Sequence, residues 1–396
     1  MSPTRWTRAA LLAVLAFSTA APIPASPAPW ASGPDLLDWM ALASGIEEPA
    51  ELARLRAEFE TLSAEVREHV RGSRSERARA RRMMETLYAR VFRDYREDAD
   101  GIQDVLDRGE YNCVSGTLLS GLVARSLGLD AHVLATPRHL VLRLRLDGRA
   151  RDVDTTSRRG PSVFGVPPVT SPQTDSRMWL GREIPHVREL DLEEAVAFVW
   201  HNRGQRALDQ GKGLEAARSF REAWRIHAGL SDDSEGLASA MARAFRIEYE
   251  ARAFDAALDV ASIDLSIFPG RTTSSDRLQA ATLKRIEALS DAGDPESAEE
   301  VLNASLELLG IPADRARLER AGSPIVARAA VRLRDWARAH RLAQRYALAE
   351  PDPAEGDRFL GWVERRHHDA DGVPETGFCS DDDAGRTEPP PPSFPR

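Results

Sequence analysis

The sequence of 396 residues is poor in cysteine, in lysine and in long apolar runs. Its two cysteines allow one disulfide at most, between Cys113 and Cys379. Lysine occurs only at Lys212 and Lys284, and the formal net charge of -9 argues against a broad nucleic-acid-binding surface. The apolar share of 42% and the charged share of 29% are ordinary for a soluble globular protein, and the length suggests two or three domains.

Residues 1–21 have the pattern of a secretory signal peptide. Arg5 and Arg8 supply a positive start, residues 9–16 form a short apolar run, and residues 18–21 are small enough for cleavage. The run is too short for a comfortable membrane span, and no stop-transfer pattern follows it. We therefore expect an exported protein, periplasmic or secreted, with no membrane span after signal removal. An uncleaved anchor is the alternative.

The rest of the chain divides into five segments by composition and periodicity. Residues 22–34 form a Pro/Ala/Ser linker, and residues 35–97 are predicted to be helical because apolar residues recur at spacings of three and four. Residues 98–190 switch from a helical to a strand pattern, and residues 191–350 return to helices. Residues 351–396 are rich in Pro and Asp and are predicted to be a disordered tail.

Cys113 follows a residue that favours the start of a helix. Asn112 is a good N-cap, and the apolar helical pattern that begins there ends at Gly128. Cys113 therefore falls in the first helical turn, where unpaired backbone N–H groups and the helix dipole favour an anion. A lone cysteine is nevertheless more often a small buried residue than a nucleophile. A catalytic role for Cys113 thus depends on partners elsewhere in the sequence.

A predicted hairpin supplies those partners. The pair Asp147-Gly148 is a strong signal for a two-residue turn, and alternating leucines precede it. The turn sets the register, with Leu146 opposite Arg149, Arg143 opposite Asp152, Val141 opposite Asp154 and His139 opposite Thr156. His139 and Asp154 would then be diagonal neighbours on one face of the sheet, whereas a slip of one residue would separate them.

These motifs resemble the transglutaminase-like superfamily, which shares the papain-like Cys-His-Asp arrangement. The likeness is carried by Asn-Cys-Val-Ser at residues 112–115, Pro-x-His at residues 137–139 and Val-Asp-Thr-Thr at residues 153–156. It is closest to the bacterial branch, whose members often carry tetratricopeptide repeats behind the core. The resemblance implies an α+β protein in which the helix carrying the cysteine packs on antiparallel strands, followed by an all-α tetratricopeptide-like helical repeat domain.

The resemblance also implies a role for each site residue. Cys113 is expected to be the nucleophile, His139 the base and Asp154 the residue that orients the base. No glutamine is placed to stabilise an oxyanion, so Asn112 or the backbone N–H of Cys113 is the candidate donor. The chain departs from better-known members at Val114, where these often carry an aromatic residue. No cofactor and no metal are expected.

The expected function is that of an exported cysteine peptidase or amidase that acts on a peptide or protein through a thioester. Hydrolysis is favoured over transamidation because it is the more common outcome implied for bacterial members. A catalytically silent fold that serves as a protein-interaction scaffold in the cell envelope is the alternative. A third possibility is a structural disulfide between Cys113 and Cys379.

Residues 191–350 contain weak repeats. The clearest copy matches the spacing of a tetratricopeptide helix pair at Trp200, Gly204, Ala216, Phe220 and Ala223. Degenerate copies are marked by Phe254 and Ala257, by Ala298 and Leu302, and by Trp336 and Ala339. In this interpretation a concave face binds a peptide or a partner protein. An irregular helical bundle is the alternative.

Overall fold

The computed structural model describes residues 35–136, 139–156, 188–228 and 234–370. The predicted signal peptide and linker therefore lie outside the described residues. The fold is helix-rich α+β, with a small antiparallel sheet. The chain separates into two compact units, residues 1–281 and 282–396, so the boundary falls inside the predicted repeat segment. None of the described helices is long and apolar enough to cross a membrane.

Three helices open the first unit: α1 (Leu36–Ala43), α2 (Pro49–Val70) and α3 (Glu76–Arg90). Helix α2 begins with Pro49, and Gly72, with a φ of 75°, follows its end. Its apolar stripe is buried as the periodicity predicts, at Leu55, Phe59, Leu62, Val66 and Val70. These side chains join one hydrophobic core with those of the segment that follows.

The next segment carries the helix and strands that surround Cys113. Strands β1 (Asp94–Tyr95) and β2 (Glu110–Tyr111) pair in parallel around a short π-helix, Asp104–Arg108. Helix α4 (Cys113–Ser126) follows, and almost all of its residues are buried. The sheet is formed by β3 (Asp130–Thr136), β4 (His139–Leu146), β5 (Arg149–Val153) and β6 (Arg188–Leu190), in the order β5-β4-β3-β6. Helix α4 packs on β3 and β4.

The predicted hairpin register is confirmed along the part of the ladder that forms. Leu146 lies opposite Arg149, and Arg143 lies opposite Asp152. The turn residues Asp147 and Gly148 have φ angles of 51° and 75°, as a turn of type I′ requires. Strand β5 ends at Val153, so the two last predicted pairs are not part of the ladder. The alternating leucines of β4 are buried, at Leu140, Leu142, Leu144 and Leu146.

Four helix pairs and one further helix then complete the described chain. They are α5 (Leu192–Asp209), α6 (Gly213–Ile226), α7 (Ser234–Glu250), α8 (Phe254–Ile267), α9 (Thr272–Asp291), α10 (Pro295–Leu308), α11 (Pro312–Arg332), α12 (Trp336–Ala349) and α13 (Pro353–Ala370). Helices α6, α8, α10 and α12 each have 14 residues. Each follows a three-residue turn whose middle residue has a positive φ, at Gly211, Arg252, Gly293 and Arg334.

One alanine marks the same place in each of these 14-residue helices. Ala216, Ala257, Ala298 and Ala339 each occupy the fourth helical position, recur every 41 residues and have no exposed surface. The period of 41 residues is longer than the 34 residues that characterise tetratricopeptide repeats and falls in the range of longer helical repeats. The chain therefore has a regular helical repeat between residues 192 and 349.

Helix α13 corrects the prediction that residues 351–396 form a disordered tail. Residues 353–370 are helical, and Phe359 and Val363 are buried four residues apart on one face. Phe359 packs edge-on against Tyr346 of α12, with ring centroids 5.2 Å apart. The high content of charged residues concealed this short apolar stripe. Residues 371–396 lie outside the described part of the chain.

Candidate active site

Cys113 is the first residue of α4, and its position is fixed by a capping box. The Asn112 side-chain oxygen Oδ1 accepts hydrogen bonds from the N–H groups of Val114 at 2.8 Å and Ser115 at 3.1 Å. In return, the Ser115 hydroxyl accepts from the Asn112 N–H at 3.0 Å and donates to the Ala99 carbonyl at 2.6 Å. These bonds satisfy the helix start and leave the Cys113 N–H at a position that has no intrahelical partner.

The oxyanion role predicted for the Asn112 side chain is corrected by this geometry. The amide nitrogen Nδ2 donates to the Glu97 carbonyl at 3.0 Å, and the side chain is almost completely buried. Its oxygen is already used by the cap. Because both ends of the amide are held in place, the side chain acts as a structural cap. The backbone N–H of Cys113 stays the predicted donor.

His139 and Asp154 lie together at the open end of the hairpin, as the register predicts. His139 Nε2 is 3.2 Å from Asp154 Oδ1, and the two side chains are only 10% and 12% exposed. The same carboxylate oxygen accepts from the Thr156 N–H at 2.9 Å and from the Thr156 hydroxyl at 2.7 Å. Burial raises the pKa of Asp154, but the bonds from His139 and Thr156 outweigh it, so the pKa is lowered.

Cys113 and Asp154 both influence the pKa of His139. Burial lowers the pKa of His139, but hydrogen bonding to Asp154 and to Cys113, together with the charges of both groups, raises it to about 10. Because Asp154 engages Nε2, a thiol that bonds the same ring must do so through Nδ1. The structure therefore brings His139 and Asp154 to 3.2 Å from each other, and Cys113 contributes to the raised pKa of the same imidazole.

Several residues that support this arrangement were not found by sequence reasoning. The Tyr88 hydroxyl of α3 donates to the Thr155 carbonyl at 2.7 Å, and the Thr155 and Thr117 hydroxyls are 3.3 Å apart. Gly116 lies beneath them, where an added Cβ would come within 3.1 Å of the Thr155 hydroxyl. These contacts fix the backbone beside Asp154 to α3 and α4. They join residues as far as 67 positions apart, which no local pattern reveals.

Tyr95 is a further neighbour of Cys113 that the sequence did not single out. Tyr95 in β1 pairs with Tyr111 in β2, and Tyr111 is two residues before Cys113. The two rings meet edge-on, with their centroids 6.0 Å apart. Burial, and then the negative charge of Cys113, raise the pKa of Tyr95 to about 12. The phenol therefore keeps its proton near neutral pH and can donate a hydrogen bond.

In the part of the chain that the structure describes, no group of three or more His, Cys, Asp or Glu side chains is arranged to hold a metal ion. Cys113 is free among the same residues, and Cys379 lies outside them. Arg138, next to His139, and residues 157–187, which follow Thr156, also lie outside the described residues.

Comparisons with known proteins leave the family of this chain open. No protein-family model matches it, and no curated protein matches it. One solved structure that it is similar to is a crystal structure of menin that reveals the binding site for Mixed Lineage Leukemia (MLL) protein. The two chains are 10% identical, with a TM-score of 0.30, and the match covers 84% of this chain and 91% of that chain. A TM-score this low carries no argument about fold or function.

Proposed function

We propose that the protein is an exported, transglutaminase-like cysteine hydrolase, a peptidase or amidase that acts on a peptide or protein. The observation that carries the proposal is the buried imidazole of His139, which lies 3.2 Å from Asp154 and whose pKa is raised by Asp154 and Cys113. A nucleophile at a helix start, a base and a residue that orients the base are the elements of acyl transfer through a thioester.

The proposed reaction uses the three residues in sequence. His139 takes the thiol proton of Cys113, and Asp154 stabilises the resulting imidazolium. The thiolate attacks an amide carbonyl carbon, and the tetrahedral intermediate collapses as His139 returns the proton to the departing amine. Water then gives a proton to His139, attacks the thioester and releases a carboxylic acid and the free thiol. The Cys113 N–H and the Tyr95 hydroxyl are the candidate donors to the oxyanion.

The helical repeats are proposed to bind the protein substrate or a partner protein. Stacked helix pairs create extended surfaces that suit polypeptide ligands. In the first pair, helices α5 and α6 approach each other as closely as is typical of a tetratricopeptide helix pair. A Cβ added to Gly204 in α5 would lie 2.6 Å from the Phe220 ring in α6. The likeness to tetratricopeptide repeats is limited to such features, because the period here is 41 residues.

A second candidate function is a catalytically silent scaffold. The observation that favours it is the commitment of the Asn112 amide to the helix cap and to Glu97. This leaves the site without the side-chain amide that would strengthen an oxyanion hole. In this function the helical repeats would bind a partner in the cell envelope, while the Cys113 unit would serve only as a folded platform.

Thiol reactivity distinguishes the two functions. The mature protein and a His139→Ala variant are treated with iodoacetamide between pH 4 and pH 10, and labelled Cys113 is quantified by mass spectrometry. We expect Cys113 to be labelled faster in the wild type than in His139→Ala at neutral pH, because the imidazole takes the thiol proton. His132→Ala, on the neighbouring strand β3, is the control and should behave as the wild type. Identical profiles for the wild type and His139→Ala would sink the hydrolase proposal.

A further inference from the structure

The second unit contains a cavity whose wall is rich in arginine and tryptophan. Its volume is about 470 Å³, which is within the size range of binding sites for small ligands and peptide side chains. Its charged and aromatic lining consists of Arg328, Arg332, Arg334, Trp336, Trp362 and Arg366. The lining, which belongs entirely to described residues, includes no carboxylate. A site with this composition is suited to an anion that also carries apolar surface.

Three helices and one turn place these residues. Arg328 and Arg332 lie near the end of α11, Arg334 occupies the turn, Trp336 opens α12, and α13 contributes the remaining pair. Arg334 has a φ of 58° and is exposed. The cavity is therefore built where the last repeat meets the final helix, and it is distinct from the Cys113 site in the first unit.

The two indoles are held in place by stacking. The Trp336 ring stacks on His367 at a centroid distance of 4.7 Å and an angle of 20°. The Trp362 ring stacks on Phe359 at 5.7 Å and 17°. Because these contacts fix the rings before any ligand binds, the ordering cost of forming an apolar contact with them is reduced.

The surrounding protein orients the charge of Arg332 without neutralising it. Arg332 donates to the Ser290 carbonyl at 2.9 Å, and a carbonyl carries no net charge. The adjacent carboxylate, Asp335, accepts from the Arg338 N–H at 3.2 Å and pairs with the Arg338 side chain. A local concentration of arginine is notable in a chain whose formal net charge is -9.

We propose that this cavity binds an acidic stretch of polypeptide, with carboxylates on the arginines and an adjacent apolar side chain against the two indoles. Guanidinium groups bind carboxylates through paired, charge-assisted hydrogen bonds, and the indole faces favour apolar or aromatic side chains. The unit that carries the cavity also carries the last helical repeats, so the site extends their proposed peptide-binding role with a stated chemistry. The proposal does not rest on the reactivity of Cys113.

Fluorescence anisotropy tests the proposal on the full-length mature protein. The probe is a blocked, labelled hexapeptide of alternating glutamate and leucine, and its control is the same peptide with glutamine in place of glutamate. We expect the glutamate peptide to bind at least about tenfold more tightly, with an affinity that falls as salt is raised. The chain has its own acidic run at Asp381, Asp382 and Asp383. Because this run could compete with the peptide, the variant Asp381→Asn/Asp382→Asn/Asp383→Asn (the triple asparagine variant) is measured in parallel.

Paired variants locate the site. The double variant Arg334→Gln/Arg366→Gln should weaken binding of the glutamate peptide by about tenfold or more, because it removes two exposed charges from the wall. Arg365→Gln removes an exposed charge next to the cavity lining and should leave binding unchanged. Cys113→Ala should also leave it unchanged, which separates this site from the proposed hydrolase.

Three results would overturn the inference. The first is equal binding of the glutamate and glutamine peptides by both the wild type and the triple asparagine variant. The second is an equal effect of the double variant and Arg365→Gln. The third is tighter binding of a nucleoside triphosphate than of the glutamate peptide, since this would assign the cavity to a different class of ligand.

Discussion

The described parts of the segment around Cys113 and of the helical repeats both contain buried polar bonds, but only the repeats carry a periodic series of small buried residues. Between Glu110 and Thr156, buried polar side chains are joined one to another, as Ser115 is to Asn112 and Thr117 is to Thr155. In the repeats, buried alanines recur every 41 residues and allow close helix packing. Buried polar bonds fix the position of particular atoms, whereas small residues fix the separation of whole helices.

This difference separates the expected effects of mutation. A conservative change near Cys113 should alter chemistry more than stability, because it removes one charge or one hydrogen bond from a fixed framework. A change at a small residue packed between the repeat helices should alter stability and leave the thiol chemistry intact, because such a residue contributes packing alone. The following predictions test whether stability and thiol chemistry can be changed separately.

The largest effect is expected for Cys113→Ala. If Cys113 is the nucleophile, hydrolysis of an activated ester such as p-nitrophenyl acetate should fall on the order of 10⁴-fold or more, since covalent catalysis is lost. The matched control, Cys379→Ala, removes the other cysteine and should keep wild-type activity. Stopped-flow absorbance measures both the acylation burst and the steady state. A burst that persists in Cys113→Ala would contradict the assignment.

Asp154→Asn is expected to have the next largest effect. The amide keeps the shape of the side chain but cannot hold His139 in the tautomer and charge state that the reaction needs, so kcat should fall by roughly 10²- to 10⁴-fold. Asp152→Asn is the control, because Asp152 is on the same hairpin and pairs with Arg143 at 2.7 Å, away from His139. Equal losses in the two variants would show that the effect is structural.

The charge of Cys113 should be visible in the titration of His139. Two of the causes that raise the pKa of His139 to about 10 come from Cys113, namely a hydrogen bond and a charge. In Cys113→Ala the pKa of His139 should therefore fall below about 10, toward the value set by burial and Asp154. Carbon-13 NMR of the histidine rings measures it, with Cys379→Ala as control. An unchanged pKa in Cys113→Ala would separate the thiol from the imidazole.

The same shifts define a pH window of stability. The raised pKa of His139 adds stability that is fully present below about pH 6.5, its unfolded value, and that is lost as the pH rises through about 10. The lowered pKa of Asp154 adds stability that is present above about pH 3.9 and lost at lower pH. The difference in free energy of unfolding between the wild type and Asp154→Asn should thus be largest between about pH 4 and pH 6.5. A difference that stays constant up to about pH 10 would contradict the pairing.

Sequence reasoning can find the hairpin of the site but not the contacts that anchor it. The Asp147-Gly148 turn and period-two leucines are local signals, and together they set the register that brings His139 to Asp154. Tyr88 and Thr155 meet through tertiary folding alone. For Asn112 the sequence suggests both an N-cap and an oxyanion donor, and the structure shows that the cap uses its side chain.

The repeats illustrate the opposite case, in which the signal is present in the sequence but incomplete. The recurring small residues can be seen in the sequence, at Ala216, Ala257, Ala298 and Ala339. Their equal spacing of 41 residues is missed when the sequence is compared with a 34-residue repeat. The aromatic residues that flank them vary, so the later copies look degenerate. The turn geometry before each alanine is what makes the copies equivalent.

Gly204→Ala should reduce stability without changing the thiol chemistry. An added Cβ would lie 2.6 Å from the Phe220 ring, so α5 and α6 must move apart or the ring must leave its pocket. Such overpacking costs about 1–3 kcal/mol of the free energy of unfolding. Urea unfolding followed by circular dichroism measures the cost, and iodoacetamide labelling of Cys113 should be unchanged. A large fall in labelling would show that the repeats and the site are not separable.

The smallest effect is expected at the turns, where glycine and arginine occupy equivalent positions. Gly211 has a φ of 73°, and a Cβ added there would meet no atom within 4 Å, so Gly211→Ala should cost only the backbone strain, about 1 kcal/mol. Arg252, with a φ of 58°, already bears that strain. Arg252→Gly relieves this strain, but the added conformational entropy of glycine stabilises the unfolded chain by about 0.5–1 kcal/mol. The net change in the free energy of unfolding should therefore be near zero. Both variants are measured by the same urea unfolding experiment. If Arg252→Gly lost as much free energy of unfolding as Gly211→Ala, the two turns would not be energetically equivalent, although they occupy the same position in the 41-residue repeat.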